Sequence, residues 1–132
     1  MNREIEANFV YSFINSFYQN RILYELSHTK KRINAIMRFS HNVNELINDS
    51  MINYKLDKFD NKIFNSFFNV KSLYVFSFKY IDGIMMNIED LLEYLNNENM
   101  PVIACTNDLA LIKIEFENSK NNFFFLKKKL LG

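Results

Sequence analysis

Apolar residues in this chain recur with a helical period in the first half and a strand-like period in the second. Phe9, Phe13 and Phe17 stand at every fourth position with Val10 and Ile14 beside them, and Ile22, Leu23 and Leu26 continue on a slightly rotated face. That spacing predicts one long helix over residues 3–26. Arg3, Glu4, Glu6, Asn8, Asn15 and Asn20 fall largely off the apolar face, and Glu4 and Glu6 in the first turn complement the helix dipole. Ser27 or Thr29 is a candidate cap for a second helix running to about Phe39, with Ile33, Ile36, Met37 and Phe39 as its core side. A shorter helix opens at Asn42-Val43-Asn44-Glu45, turns Leu46 and Ile47 inward and ends near Asp49. Residues 50–59 carry Met51, Ile52, Tyr54, Leu56 and Phe59 without a clear period and read as irregular or short helix. Asp60 then caps a helix to about Asn69, with Ile63, Phe64, Phe67 and Phe68 on one side.

The period changes at Ser72. Leu73 to Phe78 is an aromatic and β-branched run, the pattern of a central strand covered on both faces. Asp82-Gly83 makes a turn, Ile84 to Met86 adds a short edge strand, and Asn87 caps a helix from Ile88 to about Asn96. Ile88, Leu91, Leu92 and Leu95 form that helix's apolar stripe, while Glu89, Asp90, Glu93 and Glu98 face out. After Pro101, strands at 102–105 and 109–116 flank a Thr106-Asn107-Asp108 turn. The latter is expected to have one solvated face near its end. A turn over 117–122 leads to a last strand at Phe123 to Leu126. The sum is an α+β fold: an N-terminal helical bundle followed by an antiparallel sheet with one inserted helix. At 132 residues it reads as a single domain, 1–132, with a helical half (1–70) and a sheet half (71–132) that carries the helix at 88–96.

Charge divides along the same line. Residues 1–71 have a net charge of +3, residues 72–126 a net of −5, and Lys127-Lys128-Lys129 returns the total to +1. Such a dipolar surface can steer a charged partner. The lone cysteine, Cys105, sits in an apolar strand and reads as a buried structural thiol, so neither a disulfide framework nor a thiolate metal cluster is expected. No run approaches the ~18 apolar residues of a membrane span, and the N-terminal residues have no signal-peptide character. A cytoplasmic protein is the expectation.

Motifs for chemistry are absent: there is no glycine-rich phosphate loop, no His-x-x-x-His pair, no CxxC and no serine elbow. No cofactor and no metal are therefore expected. His28 and His41 flank a basic helix bearing Lys30, Lys31, Arg32 and Arg38, an arrangement that suits RNA cleavage only if a second base were paired with it. The same cations, with Tyr24 or Phe39 to stack on bases, would suit nucleic-acid binding better. Three consecutive cations at the start of a helix oppose its dipole, and a local rule broken there asks for a reason. Asp82, beside Gly83, is first of all a turn residue.

Three segments carry a resemblance. Lys31-Arg32-Ile33-Asn34-Ala35-Ile36-Met37-Arg38-Phe39-Ser40-His41 is similar to a basic helix pattern K-R-x-x-A-[LI]-x-R-[FL]-x-H. Tyr74-Val75-Phe76-Ser77, then Ile81-Asp82-Gly83, Met86 and Leu91-Leu92, is similar to a strand-turn-helix block. Met100 through Ala110, with Cys105 before the turn, matches a third, although Asn107-Asp108 stands where glycine is frequent. In order and spacing they span about residues 9–117 and resemble small bacterial immunity proteins of contact-dependent growth inhibition and polymorphic toxin systems. The resemblance implies a non-enzymatic protein that binds and neutralises a cognate antibacterial toxin, a nuclease. It transfers no functional residue. From charge alone, the expected partner-binding residues are Asp82, Glu89, Asp90, Glu93 and Glu98, with Lys30, Lys31, Arg32 and Arg38 as the alternative basic face for a nucleic acid.

Overall fold

A computed structural model of the chain describes residues 2–97, 99–114 and 122–129. The expected strand end at 115–116, the turn at 117–121 and Glu98 lie outside the described residues. The described elements are helices α1 (Arg3–Phe13), α2 (Ser16–Ser27), α3 (Arg32–His41), α4 (Val43–Leu46), α5 (Asn61–Phe67) and α6 (Ile88–Asn97), and strands β1 (Ile52–Leu56), β2 (Ser72–Phe76), β3 (Ile84–Asn87), β4 (Val102–Cys105), β5 (Leu109–Lys113) and β6 (Phe123–Lys127). Short 3-10 turns precede β1 and follow β2. The fold is α+β as the period predicts, with all strands in one antiparallel sheet of order β1-β6-β5-β4-β2-β3.

Helices cover both faces of the sheet, so its central strands are apolar throughout. Tyr74, Phe76, Ile103, Cys105, Ala110, Ile112, Phe124 and Leu126 pack with Phe9, Phe13, Ile22, Ile36 and Phe39 of α1 to α3. Their neighbours along each strand (Leu73, Val75, Val102, Ala104, Leu111, Phe123 and Phe125) pack on the opposite face with Phe64, Phe68, Leu91 and Leu95. Alternation within a strand thus sorts residues between two cores rather than between core and water.

Where local signals are strong, the elements form as the sequence predicts. The Asp60 carboxylate accepts the Ile63 N–H at 3.0 Å, and the Asn87 side chain accepts the Asp90 N–H at 2.8 Å, so α5 and α6 both start on side-chain caps. Gly83 takes a positive φ of 75° in the turn before β3. β2 stops at Phe76 rather than Phe78, because the Ser77 N–H turns aside to Asp82 and its hydroxyl donates to the Pro101 carbonyl at 2.6 Å.

Four expectations need correction. The long helix over 3–26 is two helices, broken where Ile14 becomes extended and bridges Ile47. The Asn15 N–H donates to the Leu46 carbonyl at 2.8 Å and its side-chain amide to the Glu45 carbonyl at 2.7 Å, replacing the lost helical bonds with tertiary ones. Phe17 is therefore turned outward, 86% exposed, instead of continuing the stripe of Phe9 and Phe13. Second, α3 starts at Arg32 without a side-chain cap; Ser27 instead bonds back to the Tyr24 carbonyl, and Ile33 is exposed. Third, residues 52–56 are a strand. The register shifts between Ile52 and Tyr54, so Ile52 packs on one core and Leu56 on the other, which hides the period of two. Fourth, Lys113 does not face solvent: it is fully buried, with its ammonium donating to the Leu95 carbonyl at the end of α6.

Candidate functional site

The charges that the sequence offers fall into two groups with opposite fates. The first is a buried knot. Arg32 enters α3 pointing inward, its side chain 5% exposed, and all five of its N–H donors are used. Nη1 donates to Glu6 Oε1 at 2.6 Å and to the Leu26 carbonyl at 2.8 Å; Nη2 donates to Glu6 Oε2 at 3.1 Å and Asp82 Oδ1 at 2.8 Å; Nε donates to Asp82 Oδ2 at 2.9 Å. The Tyr74 hydroxyl donates to Glu6 and accepts from the Asn2 N–H, and Asp82 accepts the Ser77 N–H. The guanidinium thus joins α3, which carries it, to α1, the end of α2 and the turn before β3, and Glu6 extends the knot to Tyr74 of β2.

This geometry sets the local proton affinities. Burial disfavours the Arg32 cation, but hydrogen bonds and Coulombic attraction from Asp82 and Glu6 outweigh it and raise its pKa above the ordinary arginine value. Burial, then the bond to Glu6, pushes the Tyr74 phenol up as well. The Cys105 thiol, opposite Tyr74 in the next strand, is pushed up to about 12 by burial and then by the Glu6 charge, which makes it a poor nucleophile. Arg38 is also committed: it grips the buried Glu25 through Nε at 2.8 Å and Nη2 at 3.1 Å, and its pKa is raised by that hydrogen bond.

Lys30, Lys31, Arg32 and Arg38 consequently do not form one basic face. Lys30 and Lys31 are exposed, Lys31 lying 5.5 Å from the Tyr24 ring centre, while Arg32 is buried and Arg38 is tied to Glu25. The three cations in a row find their reason here: the third is an internal anchor. His28 and His41 stand at opposite ends of α3, with His28 Nδ1 2.7 Å from the Tyr24 carbonyl.

The second group is a groove at the far edge of the sheet. β3 is the terminal strand, α6 leaves it at Asn87, and the turn carrying Tyr80 and Ile81 closes the other wall. Between them lies a groove of about 530 Å³ lined by Tyr80, Ile84, Met85, Tyr94, Asp90 and Glu93 among others, with two carboxylates and no cation among the described lining residues. Tyr80 is 80% exposed and Met85 56%, an unusual degree of exposure for neighbouring large apolar residues. Among the described residues Glu89, Asp90 and Glu93 make no ion pair. Of the acidic residues expected to meet a partner, Asp90 and Glu93 line the groove and Glu89 is exposed on the same helix. Asp82 is corrected: its carboxylate is held by Arg32, so it braces the turn instead of facing out. Tyr80, Met85 and Tyr94 were not among the expected residues. The exposed run Ile84-Met85-Met86 beside an acidic helix was the signal that could have found them.

Among the described residues no three His, Cys, Asp or Glu side chains gather as a metal site, and no helix is long and apolar enough to cross a membrane. Compared with known proteins, the chain matches no family model, no curated protein and no solved structure. Its function has to be argued from the groove.

Proposed function

We propose that this protein is an immunity protein: it binds a cognate antibacterial toxin in the bacterial cytoplasm, a nuclease, and neutralises it without chemistry of its own. The observation that carries the reading is the groove beside β3, where Asp90 and Glu93, without an ion pair among the described residues, rim an exposed apolar floor. A nuclease domain must present cations to bind phosphates, and those cations are what an acidic, aromatic-lined groove would meet. Acidic residues at the rim would steer encounter, and Tyr80, Met85 and Tyr94 would supply the desolvated contact that holds the complex. The resemblance of three segments to immunity proteins points the same way.

The test is co-expression with the toxin-sized product of the neighbouring reading frame. The chain is expected to protect cells and to block nuclease activity in a purified mixture, with association slowed by salt. Replacing Asp90→Lys and Glu93→Lys together is expected to abolish protection. Undiminished protection by that variant would remove the groove from the reading. If instead the purified chain retards labelled tRNA, and replacing Lys30 and Lys31 abolishes this, nucleic-acid binding takes its place.

A further inference from the structure

The two edges of the sheet are finished differently. β1, at one edge, carries Lys55 paired to Asp49 at 3.2 Å and has a register shift between Ile52 and Tyr54. A charge and a bulge are the usual devices that keep an edge strand from recruiting another chain. β3, at the other edge, reads Ile84-Met85-Met86-Asn87, with no charge, no proline and an unbroken register against β2. An antiparallel strand turns every second N–H and C=O away from its neighbour, so β3, four residues long, presents such groups with neither a charge nor a bulge to guard them. The Arg32–Asp82 contact fixes the turn from which β3 starts, which holds the edge in shape before any partner arrives.

We infer that the β3 edge receives an extended, basic segment of the partner protein as an added strand, its lysine or arginine side chains lying in the adjacent groove. This deepens the neutralisation reading and rests on it for the partner's identity. Ile84 and Met86 share a sheet face with Val75 and Leu73, the face that α6 covers, whereas Met85 shares the opposite face with Tyr74. An added strand that alternates basic and apolar residues suits both. Its long basic stems run over Ile84 and Tyr94 with their charged ends at Asp90 and Glu93, and its apolar side chains cover Met85. A second copy of this chain suits the site poorly, since pairing β3 with itself would bring two sets of Asp90 and Glu93 to one interface with no cation among the described lining residues.

The experiment is a titration of the full isotope-labelled chain with a short synthetic peptide of alternating lysine and valine, followed through its backbone amides. The expected result is perturbation centred on Ile84–Asn87 and slowed hydrogen exchange there. N-methylation of alternate peptide amides, which keeps charge and side chains but removes strand pairing, should weaken binding by about tenfold or more. Glutamate in place of lysine should abolish binding. The inference is overturned if the methylated peptide binds as well as the parent, if the perturbed amides lie elsewhere, if the lysine–valine peptide does not bind at millimolar concentration, or if the free chain already protects its β3 edge by self-association. A failed peptide with toxin protection still dependent on Asp90 and Glu93 would sink strand addition alone. A bound peptide with no effect of the chain on any neighbouring toxin would sink the neutralisation reading alone.

Discussion

The Arg32 knot and the β3 groove are both rich in carboxylates, yet they use them in opposite ways. In the knot, Glu6 and Asp82 close on one guanidinium whose every donor is engaged, leaving little for an outside partner. In the groove, Asp90 and Glu93 stand on an exposed helix face with no cation among the described lining residues. The difference separates acids that build the molecule from acids that remain available. A buried pair has already exchanged its water for a partner, so removing one member leaves an unmatched charge. An exposed carboxylate keeps its hydration, costs folding little, and projects a field over a Debye length to whatever approaches. The two regions also connect: Asp82 is tied to the knot, and β3 begins two residues later.

The largest effect should come from cutting the knot at its centre. Arg32→Ala leaves Glu6, with its side chain 6% exposed, beside Asp82 and without the cation. A loss of about 3–5 kcal/mol in denaturant unfolding is expected. A loss within the range of ordinary surface substitutions would mean that the knot is decorative and that the contrast with the groove fails.

Asp82→Asn tests whether the knot supports the groove. The Asp82 side chain is 19% exposed and Arg32 keeps Glu6, so a smaller loss of about 1–3 kcal/mol is expected. Its signature should be local. Amide exchange should accelerate in Ile84–Asn87 more than in Leu109–Lys113, because the former depend on the turn and the latter lie mid-sheet. Uniform acceleration would show that the brace acts on the whole fold and not on the edge.

What the sequence made legible and what it hid follow from the range of the forces. The caps at Asp60 and Asn87 act across three residues, and the Gly83 turn is fixed by its own backbone, so α5, α6 and the β2–β3 hairpin were readable. The acidic side of α6 was readable too, because a helical stripe places Leu91 and Leu95 in and Asp90 and Glu93 out. Arg32 was not. Its carboxylate partners are 26 and 50 positions away, and nothing near it in sequence distinguishes it from Lys30 and Lys31. The break at Ile14–Asn15 was hidden for the same reason: its compensating bonds go to Glu45, Leu46 and Ile47, and no glycine or proline marks it. β1 was hidden by its own bulge. The groove lay between these cases, its acids visible and its aromatic walls not, since Tyr80 and Tyr94 come together only when the strand and helix pack.

A third test reaches the knot through pH. Cys105 has an ordinary pKa of 9.0 and is pushed up to about 12 in the fold, so the folded state favours the protonated thiol. For a group whose folded pKa is raised, the stabilisation is complete below the unfolded value and lost as pH climbs toward the folded one. Stability should therefore decline from about pH 9 upward, by about 1 kcal/mol at pH 10 from Cys105 alone, with Tyr74 adding to the decline above its own ordinary value of 10.0. Cys105→Ala should flatten the first part of this slope in parallel denaturant titrations, even if it lowers stability at neutral pH by leaving a small void. An unchanged slope would mean that the thiol is reached by water.

The smallest effect on folding is expected where the effect on binding is greatest. Glu89→Lys, Asp90→Lys and Glu93→Lys each alter an exposed carboxylate that makes no ion pair among the described residues; Glu93→Lys should change stability by no more than about 0.5 kcal/mol, and Glu89→Lys and Asp90→Lys, in the first turn of α6, should each cost up to about 1 kcal/mol through the helix dipole. Their binding effects should differ. Asp90 and Glu93 line the groove while Glu89 does not, so the first two should slow association with a basic partner and also speed dissociation, whereas Glu89→Lys should act on association alone. Stopped-flow association across a salt series separates the cases, since a purely steering charge loses its influence as the Debye length shrinks and a contacting one does not. Equal behaviour of the three variants would reduce the groove to one acidic patch among others. Graded behaviour would mark Asp90 and Glu93 as the acids that a partner pairs.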